Sequence, residues 1–344
     1  MNNIQNLFLR FLDDESNLVD INEITNFNYF DDLQKDEKKD RLTDIFLLIS
    51  HITANHHRPP DFYSKIEKLF SPFIEEMKQN LTNDEIYQIF KENRLVLLFL
   101  FHKQVLKIDE NISKSLPKFF TYEKVQFFSE GLIQLNENIQ FEEHDRKRRI
   151  GENDNYICQL IRNDSIDDFI IYVNQSNIPL TSQILPSKYE TNPYLLFYTC
   201  TTLIEYAAFF GSIQIFNYLR MNNVEVNQSL LPFAIYSNNA QMIHLIEECL
   251  GCIDCNYIEN CIIVSLKCHH NDIANYFLSI SQIDDFSEYV IQYSNYSMFD
   301  ENTYKYLYQY VLSCNDSIVK ILLKNPSADL IYNDALVHNF FFFL

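Results

Sequence analysis

The chain has no tryptophan and only four glycines in 344 residues. A phosphate cradle or a dinucleotide fingerprint needs several glycines within a few positions, so nucleotide binding of that kind is excluded on composition. Basic side chains are scarce as well: 27 Lys and Arg stand against 47 Asp and Glu, a formal charge of −20. Such a surface repels phosphate backbones and anionic headgroups, which disfavours nucleic acid and lipid surfaces as partners. Long apolar runs are missing too. The longest early one, 95–101, has seven residues and no membrane span is expected from it. Residues 1–14 show no basic stretch followed by an apolar core, so a secretory signal is not expected. The eight cysteines are then expected as reduced thiols in the cytoplasm or the nucleus. No nucleophile elbow, P-loop or H-E-x-x-H pair occurs, and the expectation is a protein that is not an enzyme and uses no cofactor.

What is present is helical patterning. Apolar residues make up 47% and charged residues 22% of the chain, a globular balance. Leu7, Phe8, Phe11 and Leu12, and then Leu42, Ile45, Phe46 and Ile49, recur at helical spacing. Ser71 before Pro72 reads as a helix N-cap, and Thr82 with Glu85 as a capping box. The stretch 94–107 reads as a buried helix. These signals predict an irregular α-helical region over 1–150. Two clusters there have bland and sharp readings. His51, His56 and His57 crowd a helix end, where imidazoles suit the helix dipole. Arg146, Lys147, Arg148 and Arg149 are either a solvated helix end balanced by Glu142, Glu143 and Asp145 or a nuclear-import signal.

From residue 151 the pattern becomes a series of paired short helices. Residues 153–173 read as one hairpin, and three prolines at 179, 186 and 193 mark a long finger after it. The best copy is 202–227, TLIEYAAFFGSIQIFNYLRMNNVEVN. Aligned on Ala207, the series continues at Ala234, Ser265 and Tyr310, with intervals of 27, 31 and 45 residues. Asparagine is abundant, and it can stand in for glycine where the backbone needs positive φ. The turn of the best copy is assigned to Gly211, those of later copies to Asn238 and Asn315.

Thr202 to Ala208, Gly211 with Ser212, Ile215, Phe216, Tyr218, Leu219 and the segment Val224 to Asn227 together resemble the ankyrin repeat. The strings LIEYAAFFGS and KCHHNDIANY, with IRNDSIDDFI, resemble a large multicopy protist family typical of trichomonads, in which an uncharacterised helical domain precedes ankyrin repeats. The resemblance implies an all-α fold: an ankyrin-like helical-hairpin solenoid over 151–344, with copies at 202–227, near 229–250, 257–280 and 302–325, and an incomplete last repeat at 331–344. It implies a non-enzymatic interaction scaffold. Neighbouring hairpins share one core, because none can bury its apolar face alone.

Phe209, Phe210 and Tyr236 then fall on the concave face of such an array, and Asn222, Asn223 and Glu225 on a loop tip. These six are the expected partner-binding residues, for a protein partner with a basic segment steered by the acidic surface. The bland alternative packs the aromatics between repeats. A second class of function rests on Cys249, Cys252 and Cys255 followed by Cys261, Cys268, His269 and His270, whose spacing could supply four zinc ligands; in repeat register these positions spread over a helix end, a loop and a turn. A substrate-recruiting subunit of an enzyme complex is the third. The apolar run Phe340 to Leu344 is expected to promote self-association.

Overall fold

The computed structural model describes residues 1–13, 35–59, 61–128, 138–198, 200–281, 283, 285–300 and 302–303. Among these residues the protein is all-α, with no strand and a single isolated bridge between Gln183 and Thr202. The expected copies at 302–325 and 331–344, the turn at Asn315 and the tail Phe340 to Leu344 lie outside them.

The first part holds α1 (Asn2–Asp13), α2 (Lys35–Asn55), α3 (Phe62–Phe70), α4 (Ile74–Asn80), α5 (Asn83–Phe90), α6 (Arg94–His102), α7 (Glu110–Ser115), α8 (Thr121–Phe128) and α9 (Asn138–Ile150). Its core is a single aromatic and aliphatic cluster running from Phe8 to Phe120. Every residue from Leu95 to Leu100 in α6 is buried, so this helix is wrapped on all sides. The capping box of Thr82 and Glu85 forms, with Thr82 Oγ1 accepting from Glu85 N and Glu85 returning to Thr82 N. Ser71 differs from its expected role. It opens a 3-10 turn that runs α3 almost directly into α4, and its hydroxyl donates back to Glu67 O. Ser71 sits in helical φ/ψ, so it lacks the extended backbone from which an N-cap side chain reaches forward.

The basic cluster lies on α9 and is not a row of free cations. Arg148 is fully buried between Glu123 and Asp145, at 2.6 and 2.8 Å. Arg149 pairs with Asp145, Lys147 with Asp154, and Arg146 with Glu143.

The second part is a stack of helix pairs: α10 (Tyr156–Arg162) with α11 (Ile166–Gln175), α13 (Leu203–Phe210) with α14 (Ile213–Met221), α15 (Leu230–Tyr236) with α16 (Ala240–Leu250), and α17 (Cys255–Cys268) with α18 (Asn271–Ile280), while α12 (Pro193–Phe197) sits in the finger and α19 (Ser287–Gln292) follows. The first helices pack in succession, α10 on α13, α13 on α15, α15 on α17 and α17 on α19. Ala207, Ala208, Ala234 and Ser265 are fully buried along this row, where small side chains let the helices approach. Thr202 and Glu205 make a capping box at the start of α13, with the Glu205 carboxylate accepting from both the N–H and the hydroxyl of Thr202.

The turns explain why so few glycines suffice. Between the helices of successive pairs, Asp164, Gly211, Asn238, His269 and Ser294 all take positive φ. After four of them the next N–H reaches back five residues, from Ser165 to Leu160, Ser212 to Ala207, His270 to Ser265 and Asn295 to Val290. This is the Schellman closure, which satisfies helix-end carbonyls. The last of these resolves the uneven 45-residue interval: α19, the turn at Ser294 and a 3-10 turn at Tyr296–Met298 form a short extra pair within it.

Candidate functional site

The six expected binding residues separate into two places. Asn222, Asn223 and Glu225 are exposed at the tip between α14 and α15. Asn223 holds φ 63°, and Val224 N closes on Leu219 O, so the tip is a fixed turn. Met221 beside them is 75% exposed. Phe209 and Tyr236, by contrast, are 7% and 2% exposed, and Phe210 is half-buried. The expectation that these aromatics line an open face does not hold. Phe209 stacks on Tyr236 at 5.0 Å, Tyr194 from the finger lies 4.5 Å from Tyr236, and Arg162 covers Phe210 at 5.8 Å.

The chain's own first part packs next to this row. The C-terminal end of α2 lies on α17 and on the finger helix α12, and α1 lies on the 3-10 turn at 296–298. The two parts keep separate apolar cores, and polar side chains set the register of the contact. Gln5, fully buried, donates to Asn295 Oδ1 and to His269 Nδ1, and accepts from Ser297 N. Arg58 donates to Gly151 O and Arg94 to Glu190 O, each at 2.9 Å. Glu190 in turn accepts the backbone N–H groups of Asn153, Thr191 and Asn192. Gly151 sits in this joint at φ +72°, where a Cβ would lie 2.8 Å from Leu95 and 2.9 Å from Thr191.

At the centre of the joint, three histidines from two distant segments meet. His56 and His57 directly follow α2, and His270 follows the left-handed His269 that closes α17. The rings of His56 and His270 lie 4.9 Å apart, and those of His56 and His57 4.4 Å apart. His56 Nδ1 donates to Cys268 O at 2.7 Å and His270 Nδ1 to Ile235 O at 2.9 Å. His57 Nδ1 lies 3.3 Å from His270 Nε2. Asp13 Oδ1, at the end of α1, is 2.8 Å from His56 Nε2 and 3.4 Å from His57 Nε2. Burial, reinforced by His56, brings the His57 imidazole down to about 4, and burial likewise carries His270 well below its ordinary value. Burial pushes the Asp13 carboxyl up, but the His56 hydrogen bond and the charges of His56, His57 and Lys65 outweigh it and leave it below the usual range. A cleft of about 70 Å³ opens beside the rings, between Arg58, Glu190, Phe210 and Tyr236.

Among the described residues, His56, His57 and His270 are the one group of His, Cys, Asp or Glu whose ligand atoms come within 4.8 Å of one another. The zinc reading built on the cysteines is corrected by this. Cys249, Cys252 and Cys255 are exposed at the end of α16, in the loop after it and at the start of α17, while Cys261 and Cys268 are buried further along α17. The α17 helix holds them on different turns, so they do not converge. His270 does take part in a cluster, with partners more than 200 residues upstream. Each histidine pair is visible as a pair in the sequence. Nothing local points from one to the other.

No protein-family model, no curated protein and no solved structure matches this chain.

Proposed function

We propose that the chain is a non-enzymatic adaptor of the ankyrin-like solenoid kind, which takes a partner protein on the tips of its helix pairs. The asymmetry between the two ends of those pairs carries this reading. The turn end at His269 and His270 meets the chain's own α1 and the residues after α2, and those at Phe209 and Tyr236 face His56, His57 and Arg58 across a narrow cleft, whereas the tip at Met221, Asn222, Asn223 and Glu225 is open and conformationally fixed. A rigid exposed tip loses little entropy on binding, and an exposed methionine beside polar groups suits a protein contact. The 26-residue match to the ankyrin pattern and the recurring left-handed turn support the solenoid reading. The net charge of −20 favours a partner with a basic segment, through steering more than affinity.

A non-catalytic role fits the chemistry of the buried groups. Burial pushes the Cys158 thiol up to about 12 and those of Cys261 and Cys268 higher still, so none is poised as a nucleophile.

Affinity capture with the full chain tests the proposal. A Met221→Glu/Glu225→Lys variant with unchanged thermal stability is expected to lose its specific partners by about tenfold or more. Retention of every partner by that variant would overturn the assignment of the tip.

A further inference from the structure

Four hydrogen-bond contacts hold the histidine cluster: His56 Nδ1 to Cys268 O, His56 Nε2 to Asp13, His57 Nδ1 to His270 Nε2, and His270 Nδ1 to Ile235 O. Each joins a ring nitrogen to an acceptor, so each needs one hydrogen. A neutral imidazole carries one, and three rings carry three. One contact is left short of a hydrogen, and a proton added to fill it would place a charge on a ring in a site where His56 and His270 are buried, which burial opposes. A divalent cation between the rings would take the lone pairs of His56 Nε2, His57 Nδ1 and His270 Nε2 together and leave the His57 Nε2 hydrogen facing Asp13, 3.4 Å away.

We propose that His56, His57 and His270, completed by Asp13, bind one divalent transition-metal ion of the zinc class, and that the ion pins the N-terminal helices to the helix stack. Three imidazoles and one carboxylate are a tetrahedral zinc set. Two nitrogens bound to a tetrahedral zinc at about 2.0 Å sit about 3.3 Å apart, and His57 Nδ1 and His270 Nε2 are 3.3 Å apart. The outer contacts are already in place. Backbone carbonyls of Cys268 and Ile235 take the Nδ1 hydrogens of His56 and His270, which leaves both Nε2 lone pairs turned to the site. His57, a quarter exposed, and Asp13, 44% exposed, give the ion an entry path and room to settle. The metal here is distinct from one held by the exposed cysteines, and the two sources separate by mutation.

The experiment uses the full chain, stripped with a chelator and titrated with Zn²⁺, then with Co²⁺ as a spectroscopic probe. Two variants run beside it: Cys249→Ser/Cys252→Ser/Cys255→Ser, and His57→Gln. Wild type and the cysteine variant are expected to take up one equivalent, to show the intense visible bands of tetrahedral Co²⁺, and to gain roughly 5 °C in Tm at saturating Zn²⁺. His57→Gln is expected to bind about 100-fold more weakly or worse. Uptake that vanishes in the cysteine variant, or that His57→Gln leaves unchanged, would overturn the proposal, as would a wild type that binds no metal. If His57→Gln does not fold, imidazole ¹⁵N spectra of the wild type decide: Zn²⁺-induced shifts at three of the nine histidines support the site, and no shift at any histidine refutes it.

Discussion

The turn ends and the tip ends of the helix pairs close with the same backbone device and have opposite surroundings. At the turn ends Gly211, Asn238 and His269 take positive φ; at the tips Asn177 and Asn223 do. In both places an N–H reaches back five residues, as from Ser212 to Ala207 and from Val224 to Leu219. Yet Phe209 and Tyr236 beside the turns are buried against each other and Tyr194 of the finger, while Met221 beside a tip stands in solvent. A recurring local motif therefore specifies the shape of a repeat and leaves open which of its faces is free to bind. That is set by what the rest of the chain lays across it.

The sharpest way to break this comparison is to cut matching side chains from the two ends. Tyr236→Ala removes a ring packed against Phe209 and Tyr194 and is expected to cost about 4 kcal/mol. Met221→Ala should stay within about 0.5 kcal/mol. Urea unfolding of the two variants measures both, and similar losses would mean that the turn face is open after all. Glycines offer a second pairing. A Cβ added at Gly151, in the joint, would have Leu95 and Thr191 within 3 Å, whereas one added at Gly251, at the end of α16, would meet nothing within 4 Å; both glycines hold positive φ. Gly151→Ala is expected to cost about 3 kcal/mol and Gly251→Ala about 1 kcal/mol, the second being the conformational cost alone.

A smaller effect concerns α2 itself. Asp44 on α2 is buried with one carboxylate oxygen unpaired, and burial, aided by Asp40, raises its pKa to about 7. The folded state therefore holds a proton that the unfolded state releases near 3.8. The sign follows: stability is highest at low pH with respect to this group and falls as pH rises from about 4 to 7. Asp44→Asn is expected to flatten that slope and to stabilise the protein at pH 7.5 by about 2 kcal/mol. Thermal melts across that pH range check it; an unchanged slope would place Asp44 in a more solvated setting.

Much of the fold is legible locally. The helix pairs at 156–175, 203–221, 230–250 and 255–280 follow from apolar spacing, and the turns at Gly211 and Asn238 from residues that tolerate positive φ. The capping box at Thr82 needs only Glu85 three residues on. Ser71 misleads because Pro72 is compatible both with a helix start and with a 3-10 bridge between two helices. The extra pair at 287–298 escapes the pattern because its turn residue is Ser294, which carries no glycine or asparagine signal. Spacing assigns the aromatics to the correct helices, but their exposure depends on Tyr194 of the finger and on Arg162, which the repeat pattern does not place.

Helix type, helix ends, turn positions and the exclusion of glycine-rich phosphate sites were decided by residues within about five positions of one another, because hydrogen bonds and steric limits on φ act over that range. Burial of Tyr236, pairing of the four α9 cations and the meeting of Asp13, His56, His57 and His270 were decided by tertiary structure. Those outcomes depend on how the first part, whose core takes up the apolar face of α2, sits against the stack; apolar burial is non-directional and carries no local mark, so only the packed chain shows which polar groups meet.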